Sequence, residues 1–336
     1  FVKRNGTLAG LWLDRNRTFA SYGIGDNAWV VGGESKQKPL LLGLRNDVLR
    51  FNVTGTTEVD PRINDWLDIM TAWKPGADLK LFAGGDIKRA LIDGIPPCLR
   101  GKVWEMVLNT SSLIQAHPGL FDQLSNQELM TTEEEHVVEK IERDVDRTMP
   151  YHPYFREKCG QGQAQLFQVL RAYSLYDPQL GYCQGLNFVC ANLLTVMDCE
   201  RSFWALHLLL TRYNLRDNFT LGMHGLHDML HSFDDMLEER MPALAEYMTR
   251  NSLITASFAT EWFLTLFSAS FPDASRFWDV FFFEGKKSLF ALSFAVLASV
   301  ADEMMVNSET TMEVLKTMWT RLDITAVIRR AIEVMN

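Results

Sequence analysis

The sequence predicts an all-α chain preceded by a short irregular or β-leaning extension. Three observations carry that expectation. From Asp60 onward apolar residues recur at helical spacing, and no convincing period-two alternation interrupts them. Breaks such as Lys74-Pro75-Gly76 and Gly94-Ile95-Pro96-Pro97 punctuate the pattern at helix-length intervals. Residues 1–56 read differently: turn pairs (Asn5-Gly6, Gly32-Gly33) surround short runs such as Ala28-Trp29-Val30-Val31. The expected division is an extension over 1–56 and a helical domain over 57–336.

The elements follow in order. Proline is tolerated in a first helical turn, so Asp60-Pro61 opens a helix in which Trp66, Ile69, Met70 and Trp73 share a face. Asp86 is placed to cap a second helix ending at Asp93, and Pro96-Pro97 forms a rigid turn into a third, Leu99 to Asn109. Another is expected from about Ser125. The acidic stretch Thr131–Arg147 comes next, where Glu133, Glu134 and Glu135 complement the positive end of the helix dipole. The helical pattern then continues over Gln163–Tyr176, Leu186–Met197, Arg201–Tyr213, Gly225–Met248, Ser252–Phe267, Ala274–Glu284, Ser288–Met305 and Ser308–Val334. No internal repeat or low-complexity tract appears.

Composition narrows the function classes. The 336 residues are 47% hydrophobic, ample for a core, and carry a formal net charge of −9. That sign argues against bulk electrostatic binding to nucleic acid or to an anionic membrane. Five cysteines without a C-x-x-C read as reduced thiols of a cytoplasmic protein. The apolar run Ser288–Ala301 is too short to span a bilayer, and the uncharged stretch Pro178–Met197 holds Gln179, Gln184, Asn187 and Asn192, all costly in lipid. No transmembrane segment is expected. The start at Phe1 reads as a piece of a longer chain.

Two short stretches hold the chemistry. Ile141-Glu-Arg-Asp144-Val-Asp-Arg147-Thr148 places an arginine just ahead of Pro150, and Gly181-Tyr182-Cys183-Gln184-Gly185 sets a glutamine between glycines. Neither side chain titrates near neutrality, so the two make a poor acid–base pair. They suit phosphoryl transfer, where the protein positions water and neutralises charge. Gly101-Lys102 and Gly285-Lys286 lack the rest of a P-loop, and no H-E-x-x-H, G-x-S-x-G or dinucleotide fingerprint occurs. The nucleotide in such a reaction would belong to a partner. Each residue also has an ordinary reading: Arg147 as the i,i+3 ion-pair partner of Asp144, and Gln184 as an amide satisfying a tight turn.

Together these motifs resemble the TBC-domain Rab GTPase-activating proteins. Gly94-Ile95-Pro96-Pro97-Cys98-Leu99-Arg100-Gly101-Lys102-Val103-Trp104 is similar to the family's first signature, Ile141-x-x-Asp144-x-x-Arg147-Thr148 to the second, and Tyr182-Cys183-Gln184-Gly185 to the third. Leu166-x-x-Val169-Leu170-x-Ala172-Tyr173, Trp262-Phe263, Phe271-Pro272 and Arg276-x-Trp278-Asp279 with Gly285 extend the likeness from about Gly85 past residue 300. The resemblance implies an all-α TBC fold and a Rab-type small GTPase as partner, acted on in vesicle trafficking at endomembranes. It implies that Arg147 is an arginine finger and Gln184 a glutamine finger replacing the partner's own glutamine. Asp144, Arg100, Trp104 and Tyr182 are then supporting residues. No cofactor of the chain's own is implied, because GTP and Mg²⁺ are bound by the partner. The rival is a non-catalytic Rab-binding or scaffold domain of the same fold.

Other constellations are assigned structural roles. His224, His227 and His231 share a helical face but lack a completing carboxylate–histidine motif, so they read as a solvated or partner-facing helix surface. Trp278 and Asp279 read as core and helix-capping residues. Met304, Met305, Met312 and Met318 read as core filler.

Overall fold

A computed structural model of the chain describes residues 2–4, 7–9, 60–73, 85–271 and 273–336. The expected boundary at 56/57, the Ala28–Val31 run and the Lys74-Pro75-Gly76 stop lie outside these residues. Near the N-terminus β1 (Val2–Arg4) and β2 (Thr7–Ala9) pair antiparallel, with Lys3 opposite Leu8. The rest of what is described is helix and turn, as an all-α chain requires. The chain divides into two compact units, Phe1–Asn109 with Thr195–Asp198, and Thr110–Leu194 with Cys199–Asn336.

In the first unit α1 (Arg62–Ala72) buries Ile63, Trp66, Leu67 and Met70, and α2 (Gly85–Asp93) and α3 (Pro97–Leu108) complete its core. The buried Trp66 indole donates to Gly94 O at 3.1 Å, which ties α1 to the turn before α3. α2 ends at Asp93 as expected, and the side chain of Asp86 lies outside what is described. α3 begins two residues earlier than expected, because Pro97 has the φ a first helical residue needs and no N–H to satisfy.

The second unit opens with α4 (Thr110–Ala116) and α5 (Leu120–Asn126). Seven residues are too few to display a period, and neither helix was anticipated as such. Ser125 sits near the end of α5, with its Oγ donating back to Phe121 O at 2.7 Å, and does not start a helix. α6 (Thr132–Val145) is followed by α7 (Gln161–Tyr176), α8 (Leu186–Leu194) and α9 (Cys199–Leu210). α7 is the hub: it packs against α5, α6, α8 and α9, burying Leu166, Val169, Leu170, Ala172 and Tyr173. Its Gly162 lies against Tyr154 O, where a Cβ would collide with backbone.

The expected helix Gly225–Met248 is two, α10 (His224–Arg240) and α11 (Pro242–Arg250). Pro242 has no N–H to continue the first ladder and takes the first position of the second helix instead. α12 (Ala256–Thr265), α13 (Ser275–Glu284) and α14 (Lys286–Met304) follow. The span Ser308–Val334 is likewise divided into α15 (Ser308–Thr317), a 3₁₀ turn at Met318–Thr320 and α16 (Ile324–Val334). Asp323 restarts the chain as an N-cap, its carboxylate accepting from Ala326 N–H at 3.0 Å. α14 is buried along most of its length against α13, α15 and α16. Among the described residues no helix is long and apolar enough to cross a membrane.

Candidate functional site

The arginine segment begins with a well-closed helix start. Thr131 Oγ1 accepts from Glu134 N–H at 3.2 Å while the Glu134 carboxylate accepts from Thr131 N–H at 3.2 Å, a capping box in which the acidic run faces free amides. At its far end α6 stops at Val145, two residues before Arg147. The cause is local: Arg147 N–H and Thr148 N–H bond to the carbonyls three residues back, Asp144 and Val145, and Met149 takes a left-handed φ of 45°. These shorter bonds tighten the last turn, and Pro150 disfavours helical backbone at the residue before it. Arg147 therefore sits on a turn at the helix end.

Its guanidinium is 51% exposed and leans on a carboxylate that is itself buried. Arg147 Nε donates to Asp144 Oδ1 at 2.8 Å, and Nη2 lies 2.7 Å from the same oxygen in an ion pair. The other carboxylate oxygen, Oδ2, accepts the Tyr182 hydroxyl at 2.6 Å. Burial and the Asp144 carboxylate together push the Tyr182 phenol well above its ordinary range, so it remains a donor at neutral pH. The i,i+3 ion pair expected of Arg147 is present, and it joins the arginine segment to the glutamine segment.

The glutamine segment is a turn built by its glycines. Leu186 N–H bonds Cys183 O at 3.2 Å, placing Gln184 at the first corner and Gly185, with φ 109°, at the second. Only glycine adopts that φ without strain. Gln184 is exposed, and its side-chain amide has no hydrogen-bond partner among the described residues. The base of this loop is held separately. Asp177, at the end of α7, accepts Leu180 and Gly181 N–H on its carbonyl at 3.1 and 2.8 Å, and its carboxylate accepts two bonds from Arg216 at 2.8 and 3.0 Å. The Arg216 guanidinium holds the Asp177 carboxyl below the usual range.

Beneath both tips lie two residues with no accessible surface, Thr148 and Asn187. Thr148 Oγ1 donates to Asp144 O at 2.6 Å and accepts from Asn187 Nδ2 at 2.7 Å. Asn187 Oδ1 in turn accepts Gly185 N–H at 3.0 Å. Motif reading had assigned neither residue a role. The available signal was Asn187 itself, an amide two residues after a turn glycine in an otherwise apolar helix start.

Arg100 and Trp104 belong to α3 in the first unit, both buried, with Arg100 Nη2 donating to Ile95 O at 3.1 Å. Trp278 is core, its indole bonded to Leu266 O at 2.9 Å. Asp279 is also fully buried and lies within α13. Met304 and Met318 are fully buried, while Met305 and Met312 are half-buried. His224, His227 and His231 are exposed along α10. Among the described residues no cluster of His, Cys, Asp or Glu is gathered for a metal. A cleft of about 560 Å³, lined by Asn214, Arg216, Asp217, Asp228, Ser232 and Lys286 among others, contains none of the predicted site residues. Arg147 and Gln184 are both exposed.

The model of the Rab-GTPase-TBC domain matches residues 97–305. A Rab GTPase-activating protein, tbc-11, of Caenorhabditis elegans is 36% identical over 221 residues, 65% of this chain and 23% of the relative. The human ecotropic viral integration site 5 protein homolog is 34% identical over 242 residues, 71% of this chain and 28% of the relative. The chain thus spans about a quarter of the length of these relatives. The crystal structure of the Chlamydomonas flagellar RabGAP TBC domain superposes with a TM-score of 0.69 at 23% identity, covering 90% of this chain and 99% of that one. That of the Ypt/Rab-GAP domain of Gyp1p gives 0.66 at 18% identity, covering 82% and 98%. At such identities the structural likeness concerns the fold. With the family model matching residues 97–305, more than half of the chain, the chain belongs to the Rab-GTPase-TBC domain family.

Proposed function

We propose that this chain is a GTPase-activating domain that acts in trans on a Rab-type small GTPase, with Arg147 and Gln184 entering the partner's nucleotide site. The observation that carries the reading is one carboxylate, Asp144, held between the half-exposed Arg147 and the hydroxyl of Tyr182, two residues before the exposed Gln184. Two polar tips with no catalytic group of their own are thereby presented from adjoining turns. The partner holds GTP and Mg²⁺. The Arg147 guanidinium neutralises charge developing on the transferring phosphoryl group, a contribution worth roughly 10³–10⁵ in rate in GTPases. The Gln184 amide accepts from the attacking water and donates to a γ-phosphate oxygen, the task a GTPase glutamine otherwise performs. Arg100 and Trp104, like Asp144 and Tyr182, are supporting residues in this reading. Through such a partner the chain would act in vesicle trafficking, at the cytoplasmic face of endomembranes.

The test is single-turnover GTP hydrolysis by a panel of Rab-type GTPases, with and without the domain. Acceleration of at least one member is expected. Arg147→Ala should remove most of it and Gln184→Ala a factor on the order of 10², with both variants folded because both side chains are exposed. Binding without acceleration would establish the rival reading, a non-catalytic Rab-binding domain. Full activity in both variants would end the two-finger mechanism.

A further inference from the structure

We infer that Thr148 and Asn187 form a buried positioning bridge that sets where Gln184 stands relative to Arg147. The inference rests on the two-finger reading above and adds to it the residues that fix the spacing of the fingers. Thr148 follows Arg147 in the chain, and Gly185 N–H belongs to the peptide unit that carries the Gln184 carbonyl. The bridge therefore runs from the neighbour of one tip to the peptide of the other through only two side chains: Thr148 Oγ1 to Asn187 Nδ2 at 2.7 Å, then Asn187 Oδ1 to Gly185 N at 3.0 Å.

The polarity of this bridge is determined along its length. Thr148 spends its single O–H on Asp144 O at 2.6 Å, so it can only accept from Asn187. Gly185 presents a donor, so Asn187 must turn its oxygen there and its NH₂ to the threonine. Reversing the amide would set donor against donor at Gly185, so one rotamer satisfies both neighbours. Both residues have no accessible surface, so water cannot substitute for a lost partner. The elements being joined need such a tie: α6 and α8 each pack closely on α7 but touch one another only lightly. The Arg147–Asp144–Tyr182 line above the bridge is partly exposed and ends on flexible side chains, whereas the bridge ends on backbone. Reaction geometry is sensitive at this scale, since a displacement of about 1 Å can cost on the order of 10²-fold in rate.

The experiment compares Thr148→Val, Asn187→Leu, the double variant and Thr148→Ser with the parent, on whichever GTPase the parent accelerates. Maximal single-turnover rate, binding to the partner loaded with a non-hydrolysable GTP analogue, and capture of the partner loaded with GDP and aluminium fluoride are measured, beside thermal melting. The two single variants should lose on the order of 10–10² in maximal rate and in aluminium-fluoride capture, with ground-state binding within about twofold. Thr148→Ser, which keeps both hydrogen bonds, should restore the rate. The double variant leaves Gly185 N–H without its acceptor just as Asn187→Leu does, and should be no slower than Asn187→Leu alone, as expected of residues acting as one unit. Rates equal to the parent in folded variants, or losses matching only the unfolded fraction, overturn the inference. Arg147→Ala and Gln184→Ala run alongside separate the levels. If those two abolish acceleration while Thr148→Val does not, only the bridge is wrong; if they do not, both readings fall.

Discussion

Tyr182 donates its hydroxyl to Asp144 Oδ2 at 2.6 Å, while Arg147 occupies the other oxygen of the same carboxylate. Asp144 is 8% exposed, so each oxygen needs its donor from protein. Removing the hydroxyl in Tyr182→Phe leaves Oδ2 short of a partner at a cost of about 1–3 kcal/mol. The freed carboxylate should then re-aim toward the guanidinium and draw Arg147 back. Thermal or denaturant unfolding should show the stability loss, and single-turnover hydrolysis a rate reduced roughly tenfold. An unchanged rate in the folded variant would mean that Asp144 aims Arg147 without help.

The two glycines flanking the glutamine turn should not be equivalent. Gly185 has φ 109° and Gly181 φ 60°, and a Cβ at either would meet nothing closer than 3.5 Å. Conformation, not crowding, therefore sets the cost. The value at Gly181 is close to an ordinary left-handed residue, at about 1–2 kcal/mol for alanine. That at Gly185 is outside the range other residues adopt, so Gly185→Ala should cost more, up to about 3 kcal/mol. Urea unfolding of the two variants checks the order, and a reversed order would show that the turn re-forms around alanine.

Arg216 grips Asp177 with two bonds, and Asp177 holds Leu180 and Gly181 N–H at the foot of the glutamine loop. A lysine cannot reproduce the fork. Arg216→Lys should leave global stability within about 1 kcal/mol, because the pair is partly solvated. Amide exchange at Leu180 and Gly181 should nonetheless accelerate. The pH sense follows from the lowered Asp177 carboxyl: its contribution is complete above the ordinary value near 3.8 and is lost as acid protonates it through its folded value. Exchange at Leu180 and Gly181 that is equally slow in the variant would remove Arg216 from the loop's support.

His152 supplies a second pH dependence at milder acidity. Its Nδ1 accepts Tyr154 N–H at 3.2 Å, and burial lowers its pKa below the ordinary 6.5. The neutral ring is the one the fold accommodates, since protonation would turn that acceptor into a donor. For a lowered histidine, stability is present above about pH 6.5 and declines as pH falls through the folded value. The melting temperature should drop between pH 7 and 5, and less so in His152→Asn, whose amide oxygen accepts the same N–H at any pH. An NMR titration placing His152 above 6.5 would contradict this account.

Much of the site was legible from residue types alone. Pro150 beyond Arg147, glycines on both sides of Gln184 and an acidic start after Thr131-Thr132 are local signals whose meaning does not depend on distant packing. The same holds for most helices, whose apolar spacing was clear over ten or more residues. Where the reading erred, the deciding interaction was short or hidden. α4 and α5 were too brief to show a period, and Pro242 split a continuous apolar pattern by the loss of one N–H.

Residue order was enough to place an arginine and a glutamine at the ends of helical segments, and it holds neither a P-loop nor a dinucleotide motif. Both are properties of local chemistry, read at one position or across a few neighbours. That Asp144 would join the two tips, with one oxygen for Arg147 and the other for Tyr182, could not be read there. Nor could the bridge from Thr148 to Asn187. Those contacts exist because α6 and α8 pack on α7 and bring residues 38 and 39 positions apart within hydrogen-bonding distance. Hydrogen bonds operate over about 3 Å and are set by where folding places their ends, so only the tertiary structure could assign them.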